Sequence, residues 1–202
     1  MLDKNVPYAG FFMRREPGAP LPDYPLPEGY RYTFFQDGDE TNWARIETSV
    51  LEFDSEFAAL LYFKEHYIKH IDELRRRCIF IENNSGIKVA TAMAWWIDVD
   101  EQRRAAVHWV SVDPNYQGQG LGKAIISRAT KLLTQLNGEV PIYLHTQTWS
   151  HKAVEIYKNH SYTPTDEKAL YKKKKDNYKK AMKILMRSAE RKKTEARGQK
   201  TE

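Results

Sequence analysis

The 202 residues predict a mixed α/β fold, a largely antiparallel central sheet flanked by helices. Three observations carry this. Short runs of alternating apolar residues recur up to Val112 with turn-type residues between them. Two strand–helix units then follow, from Ala105 to Leu136 and from Pro141 to Asn159, which is the order of a mixed sheet with helices packed on it. Hydrophobic residues are 41% and aromatics 12% of the chain, enough to bury a core and to exclude wholesale disorder.

The elements follow in order. Residues 1–27 hold six prolines interleaved with Tyr8, Phe11, Phe12 and Tyr24. Proline at that density forbids a helix or an interior strand, so an extended N-terminal arm is expected. The domain proper is expected at 28–165. RYTFF from Tyr30 alternates as a first strand. Asp39 is a plausible N-cap for a helix through Trp43, Ile46 and Val50, and Asp54 opens a second with Phe57, Leu60, Leu61, Ile68 and Ile71 at helical spacing. Cys78–Glu82 is a short strand, the turn NNSG follows, and Val89–Val99 and Ala105–Val112 are strands joined by a turn. An amphipathic helix runs from Leu121 to Leu136 and ends at Asn137-Gly138. PIYLHTQT is a strand, and Ser150 caps a helix to Asn159. Residues 166–202 form a basic tail in which Ala181, Met182, Leu185, Met186 and Ala189 mark a helical stripe. This stripe is expected to pack on its own domain while the lysines face water.

The chemistry concentrates between Val107 and Ala124. A strand ends at Asp113-Pro, and Gly118, Gly120 and Gly122 lead straight into a helix. Glycine lets the backbone curl so that N–H groups converge, and the first four N–H groups of a helix are unpaired beside a positive dipole end. The product is an anion cradle suited to a phosphate or pyrophosphate. Two nucleotide loops are excluded. The spacing G-x-G-x-G is not the G-x-G-x-x-G of dinucleotide binders. The Walker A pattern fails at Gln117, where glycine is needed, and at Ala124, where Ser or Thr would hold magnesium. A purely structural glycine turn is the remaining alternative.

Gln117-Gly-Gln-Gly-Leu-Gly122, behind an apolar strand and ahead of a helix, resembles the pyrophosphate loop of the GNAT acetyltransferases, Gln/Arg-x-x-Gly-x-Gly/Ala. The segment from Ser150 through Tyr157 to Tyr162 is similar to the family's later helix, with Ser150 for the usual Asn and Ser161-Tyr162 for Gly-Phe. The resemblance spans about Tyr30 to Thr165. It implies acetyl-CoA as acyl donor and direct transfer to a primary amine of a small molecule or peptide, with no metal. It implies that the strand before the loop splays at a bulge, so that Val110 and Val112 pair with the pantetheine amides. Gln117, Gly118, Gln119, Gly120, Leu121, Gly122 and Lys123 would form the pyrophosphate loop, with the amides of Gly118, Gly120, Gly122 and Lys123 as donors. Ser150 would touch the pantetheine arm, and Tyr157 would protonate the departing thiolate.

The amine must lose a proton, and His108 is the leading base candidate, sharing a face with Val110 and Val112 unless the bulge changes phase. The alternatives are a structural histidine with water carrying the proton, or Glu47 or Glu52. His66 and His70 lie on one helix face without a third ligand, and Cys78 reads as a core residue. Of Trp95 and Trp96, one is expected in the core and the other is a candidate wall of the acceptor groove. The net charge of +5 divides unevenly: residues 166–202 carry 14 Lys and Arg against 6 Asp and Glu, and the rest carries 18 against 21. The body therefore has no polybasic field, and nucleic acid is not an expected partner. A non-catalytic acyl-CoA-binding regulatory module that engages a partner through the basic helix is the rival reading. One cysteine, no signal-like segment and no apolar run of membrane length lead to the expectation of a cytoplasmic monomer or homodimer without membrane contact.

Overall fold

In the computed structural model, which describes residues 2–171 and 177–198, fourteen α-helices and strands follow one another, with three short 3-10 helices between them. They are β1 (Gly10–Arg15), β2 (Tyr30–Phe34), α1 (Glu40–Ser49), α2 (Glu56–His66), α3 (Ile71–Arg77), β3 (Cys78–Asn83), β4 (Lys88–Val99) and β5 (Gln102–Val112). After these come α4 (Leu121–Asn137), β6 (Ile142–Gln147), α5 (His151–Asn159), β7 (Tyr162–Thr165), α6 (Lys168–Tyr171) and α7 (Tyr178–Gly198). The strands form one sheet in the order β2-β3-β4-β5-β6-β1-β7. Every neighbouring pair is antiparallel except β5 with β6.

Strand alternation sends side chains to opposite faces of the sheet, where three buried clusters form, the smallest around Phe12, Ala106, Tyr143 and Tyr171. On β3, Ile79 and Ile81 join Val107, Leu144 and the α4 residues Leu121, Ile125 and Leu133 on one face. Cys78 and Phe80 join Met93, Trp95 and the residues Trp43, Ile46, Phe63 and Leu74 of α1–α3 on the other. The α1 boundary follows the expectation, with Asp39 preceding it, although the Asp39 carboxylate pairs with Lys88 and the Gln36 amide instead of capping the helix.

The N-terminal arm is corrected. The run Tyr8–Glu16 contains no proline, and within it β1 lies between β6 and β7, antiparallel to both, with Phe11 opposite Thr146 and Arg14 opposite Thr163. Phe11 and Met13 are fully buried, so this segment is interior sheet. The prolines fall outside its ladder, which is all the rule against proline in a central strand requires. Pro164, opposite Met13, sits on the edge strand β7. Residues beyond β1 do lie on the surface of the helices: Ser127 Oγ donates to the Pro22 carbonyl at 3.0 Å, and Lys131 pairs with Asp23 at 2.7 Å.

The second helix also differs from expectation. Its cap is Ser55, whose Oγ accepts from the Ala58 amide at 3.2 Å, and it ends at His66, so Ile71 begins a separate helix. Ala59 and Phe63 are buried, the Phe63 ring centroid 5.0 Å from that of Trp43, while Phe57 and Leu61 are exposed. In α7, Ala181 is buried and Met182, Ile184 and Leu185 pack on the sheet core, whereas Met186 faces solvent. Ala189, the last position of that stripe, lies outside the described side chains.

Because Phe11 is fully buried in an interior strand, Phe11→Ala should lower the unfolding free energy by about 3–5 kcal/mol in a urea titration. Tyr8→Ala, at a half-exposed ring, should cost far less. Equal small effects would return this segment to the surface.

Candidate functional site

Two local deviations build the site. The first is a bulge in β5. Thr91 of β4 faces Ser111 and Met93 faces His108, so Trp109 and Val110 together oppose Ala92. Trp109 takes the left-handed conformation with φ +52°, the price of inserting the extra residue. On its other edge β5 pairs with β6 only at Ala106–Tyr143 and Val107–Leu144. Beyond Val107 the two parallel strands part, and among the described residues Trp109–Val112 has no residue of β6 opposite it.

The second deviation is the loop. Gly118 (φ +82°) and Gly120 (φ +88°) are both left-handed, and Gly120 is the residue before α4. A Cβ at either would meet no atom within 4 Å, so glycine is needed here for its conformation and not for room. Among the described residues, no protein acceptor takes the amides of Gly118, Gln119, Gly120, Leu121 and Gly122. The Lys123 amide, expected among the donors, is instead bonded to the Gly120 carbonyl at 3.0 Å. What Lys123 offers is its ammonium, which lies 5.3 Å from the centre of the Tyr24 ring.

The loop is braced from several sides. Gln117 Nε2 donates to the Val112 carbonyl at 2.9 Å, so this side chain ties the loop to its own strand. Asp113 accepts from the Asn115 amide at 3.0 Å and from Arg45 Nη1 of α1 at 3.0 Å. Tyr30 and Tyr32 of β2 donate to Gln119 Oε1 at 2.8 Å and to the Ala124 carbonyl at 3.0 Å.

Bulge and loop open onto one cavity of about 570 Å³. Val110, Val112, Gln117, Gly118, Gly120, Leu121, Gly122, Lys123, Ser150 and Tyr157 all line it, whereas Gln119 and His108 do not. Ser150 precedes α5 without its side chain capping the helix, which leaves the hydroxyl to the cavity. Tyr157 is largely buried, and among the described residues none accepts from its hydroxyl. Burial, aided by the nearby charges of Glu52 and Glu47, holds this phenol well above its ordinary pKa.

His108 is displaced by the bulge. It lies on the α1–α3 face with Trp109 and Ser111, opposite Val110 and Val112, so the expected shared face is broken by the change of phase. Tyr67 Oη receives a hydrogen bond from Trp109 Nε1 at 2.7 Å and lies 3.0 Å from His108 Nδ1. The Tyr67 hydroxyl can accept a second hydrogen bond or give its own proton, so His108 Nδ1 is engaged by Tyr67 in either tautomer of the ring.

Two glutamates influence Tyr157 electrostatically. Glu52 lines the cavity mouth, accepts from Gln147 Nε2 at 3.2 Å, and is raised in pKa because surrounding protein displaces water. Glu47 is fully buried behind Ser111, whose Oγ donates to Oε2 at 2.9 Å while Oε1 has no partner among the described residues. Burial pushes it up to about 8. Sequence reasoning ranked both below His108, and it missed Ser111, Lys152 and Leu2, which also line the cavity. The register of the bulge, invisible without a glycine to mark it, was the missing signal for Ser111.

Other singled-out residues lie elsewhere. Trp95 is buried and Trp96 stacks on it with centroids 4.2 Å apart, and neither lines the cavity. Cys78 is buried in β3, and burial raises its thiol pKa beyond the reactive range. Among the described residues no group of three metal-ligating side chains occurs, and no helix is long and apolar enough to cross a membrane.

Residues 41–162 match the model of the Acetyltransferase (GNAT) family. Spermidine N(1)-acetyltransferase of Vibrio cholerae serotype O1 is 26% identical over 105 residues, covering 52% of this chain and 60% of that protein, so less than two thirds of that relative is matched. The GCN5-related N-acetyltransferase of Sphaerobacter thermophilus is similar in fold, with a TM-score of 0.61 at 18% identity over 79% of this chain and 49% of that one. A GNAT-family acetyltransferase from Colwellia psychrerythraea gives 0.58 at 12% identity, over 79% and 55% of the two chains.

Two substitutions separate conformation from space in the loop. Gly120→Ala should cost about 1–2 kcal/mol of stability, because alanine resists the left-handed region. Gly122→Ala should be neutral or slightly stabilising, since its Cβ would make only ordinary contacts with Ile156 and Val112 at 3.5 and 3.8 Å. Thermal unfolding of both variants checks this contrast. Glu47 yields a pH prediction. Its folded pKa of about 8 lies above the unfolded value, so the folded state binds the extra proton and loses stability as pH rises from about 5 to 8. Glu47→Gln removes that loss, and its stability advantage over wild type should grow to a few kcal/mol across this window and then level off. A constant difference between pH 5 and 8 would mean that Glu47 is ionised throughout.

Proposed function

The chain belongs to the GNAT acetyltransferase family, and from that premise we propose that it is an N-acetyltransferase that moves an acetyl group from acetyl-CoA directly to a primary amine. The observation that carries this reading is the row of loop amides at the start of α4 with no acceptor among the described residues, of which Gly118, Gly120, Leu121 and Gly122 line the same cavity as Tyr157. The donor brings a thioester, whose C–S bond breaks as a C–N bond forms. The cavity residues fit it in kind. Converging amides with the positive end of α4 and the Lys123 ammonium suit a diphosphate. The unpaired edge of β5 at Val110 and Val112 suits an extended chain of amides.

Tyr157 supports the leaving sulfur. A phenol held this far above its ordinary pKa is protonated at every working pH, so it is always present as a donor. The same reluctance to ionise makes its main contribution a hydrogen bond to the developing thiolate, of the kind that stabilises oxyanions elsewhere. Glu52 is the group we assign to receive the amine proton. It is a cavity carboxylate whose raised pKa brings it nearer to an ammonium, while His108 Nδ1 is already engaged by Tyr67. A cationic acceptor is favoured by the Glu52 carboxylate at this end. The name of the Vibrio relative, an enzyme acting on spermidine, agrees with that class.

Release of CoA with a panel of amines tests this reading. Tyr157→Phe should lower kcat by about 10²-fold while leaving the KM for acetyl-CoA nearly unchanged. Glu52→Gln should lower kcat and flatten the rise of rate with pH, because the wild-type base must be ionised to accept a proton. No CoA release with any amine would contradict the proposal, and full activity in Tyr157→Phe would remove Tyr157 from it.

A further inference from the structure

His160 is fully buried just past the last residue of α5 and takes no part in the chemistry assigned above. Its two ring nitrogens face carbonyl oxygens from two different elements. Nδ1 lies 2.7 Å from the Ile156 carbonyl of α5, and Nε2 lies 3.2 Å from the Lys123 carbonyl in the first turn of α4. Lys123 and Ile156 both line the cavity, and Ile156 directly precedes Tyr157. One imidazole therefore touches both the helix that begins at the loop amides and the helix that carries the phenol.

A neutral imidazole has a single N–H, so it can donate to only one of these carbonyls, and its other nitrogen then turns a lone pair toward an oxygen. The imidazolium donates to both. Its place at the negative end of α5 favours the same charged form. Burial works against it and holds the ring below its ordinary pKa, helped by the charges of Lys123 from α4 and Arg15 from β1. From the N-terminal arm the Tyr24 ring packs on the imidazole with centroids 5.2 Å apart, and Lys123 Nζ lies 5.3 Å from the centre of that ring. A diphosphate seated on the loop offsets the Lys123 charge, and so removes part of what keeps the second proton away.

We propose that His160 is a positioning residue that takes a second proton from solvent when the coenzyme binds. The imidazolium then ties the first turn of α4 to α5 and fixes the span between the diphosphate amides and Tyr157. This inference rests on the acetyl-CoA reading for its ligand, and it adds the residue that links the two ends of the cavity.

The test titrates CoA into wild type, His160→Gln and His160→Asn by calorimetry near pH 7, in buffers of different ionisation heat, which counts the protons exchanged. Wild type should take up more protons than either variant, a comparison in which titration of the ligand's own phosphate cancels. Gln places its amide nitrogen where Nε2 stands and can keep the bond to the Lys123 carbonyl, whereas Asn places its nitrogen near Nδ1 and loses that bond. CoA should therefore bind His160→Asn about three- to tenfold more weakly than His160→Gln, the worth of one hydrogen bond. The advantage of wild type over His160→Gln should grow as pH falls, because binding then takes up a proton. Equal proton uptake in wild type and His160→Gln, or equal affinity of the two variants, would overturn the proposal. Should the variants fail to fold, the imidazole nitrogen resonances of wild type decide. Saturation with CoA should convert the ring from one N–H to two, and an unchanged ring refutes the proposal. No binding of CoA to wild type would remove the coenzyme reading itself, and this inference with it.

Discussion

The site depends on main-chain polar groups that the fold leaves without partners. A sheet normally pairs every interior strand on both edges, and a helix start normally receives a cap. Here the Trp109 bulge parts β5 from β6 after Val107, and the Gly118–Gly120 turn starts α4 with amides facing outward. Neither defect would persist in a buried site without something to satisfy it. Both open onto one cavity, and their donors differ in character: a strand edge at one end and a convergent cluster at the other.

Side chains set the polarity of that cavity. Lys123 and the α4 start make the loop end positive, whereas Glu52 makes the Tyr157 end acidic. The acidic end is also the drier one, which is why its carboxyl and its phenol both sit above their ordinary pKa values. The rigid supports lie behind it. Arg45 links α1 to the loop through Asp113, and Ser111 links the bulged strand to Glu47. A change in the packing of α1 would therefore reach the loop through two side chains.

Much of this was legible from residue order. The glycine spacing located the loop, while the open strand edge and Tyr157 were expectations that came with the family resemblance. Glycine and apolar period are local signals, and they survived folding. The rest depended on non-local choices. Phe11 and Met13 became interior because the strand gap between β6 and β7 needed a filler, a fact no local pattern records. His108 changed face because one extra residue was absorbed at Trp109, a residue type that gives no warning of positive φ. Glu47 looked like one more polar helix position until Ser111 was placed against it by that same shift.

The most direct test of the central claim is an amide NMR titration with CoA, read at the backbone resonances of the loop and the β5 edge. The account predicts that the largest shifts fall on Gly118, Gln119, Gly120, Leu121 and Gly122, with Val110 and Val112 following and Lys123 less affected because its amide is already bonded. Saturation of the titration with those five amides unmoved, and the main shifts elsewhere, would contradict it.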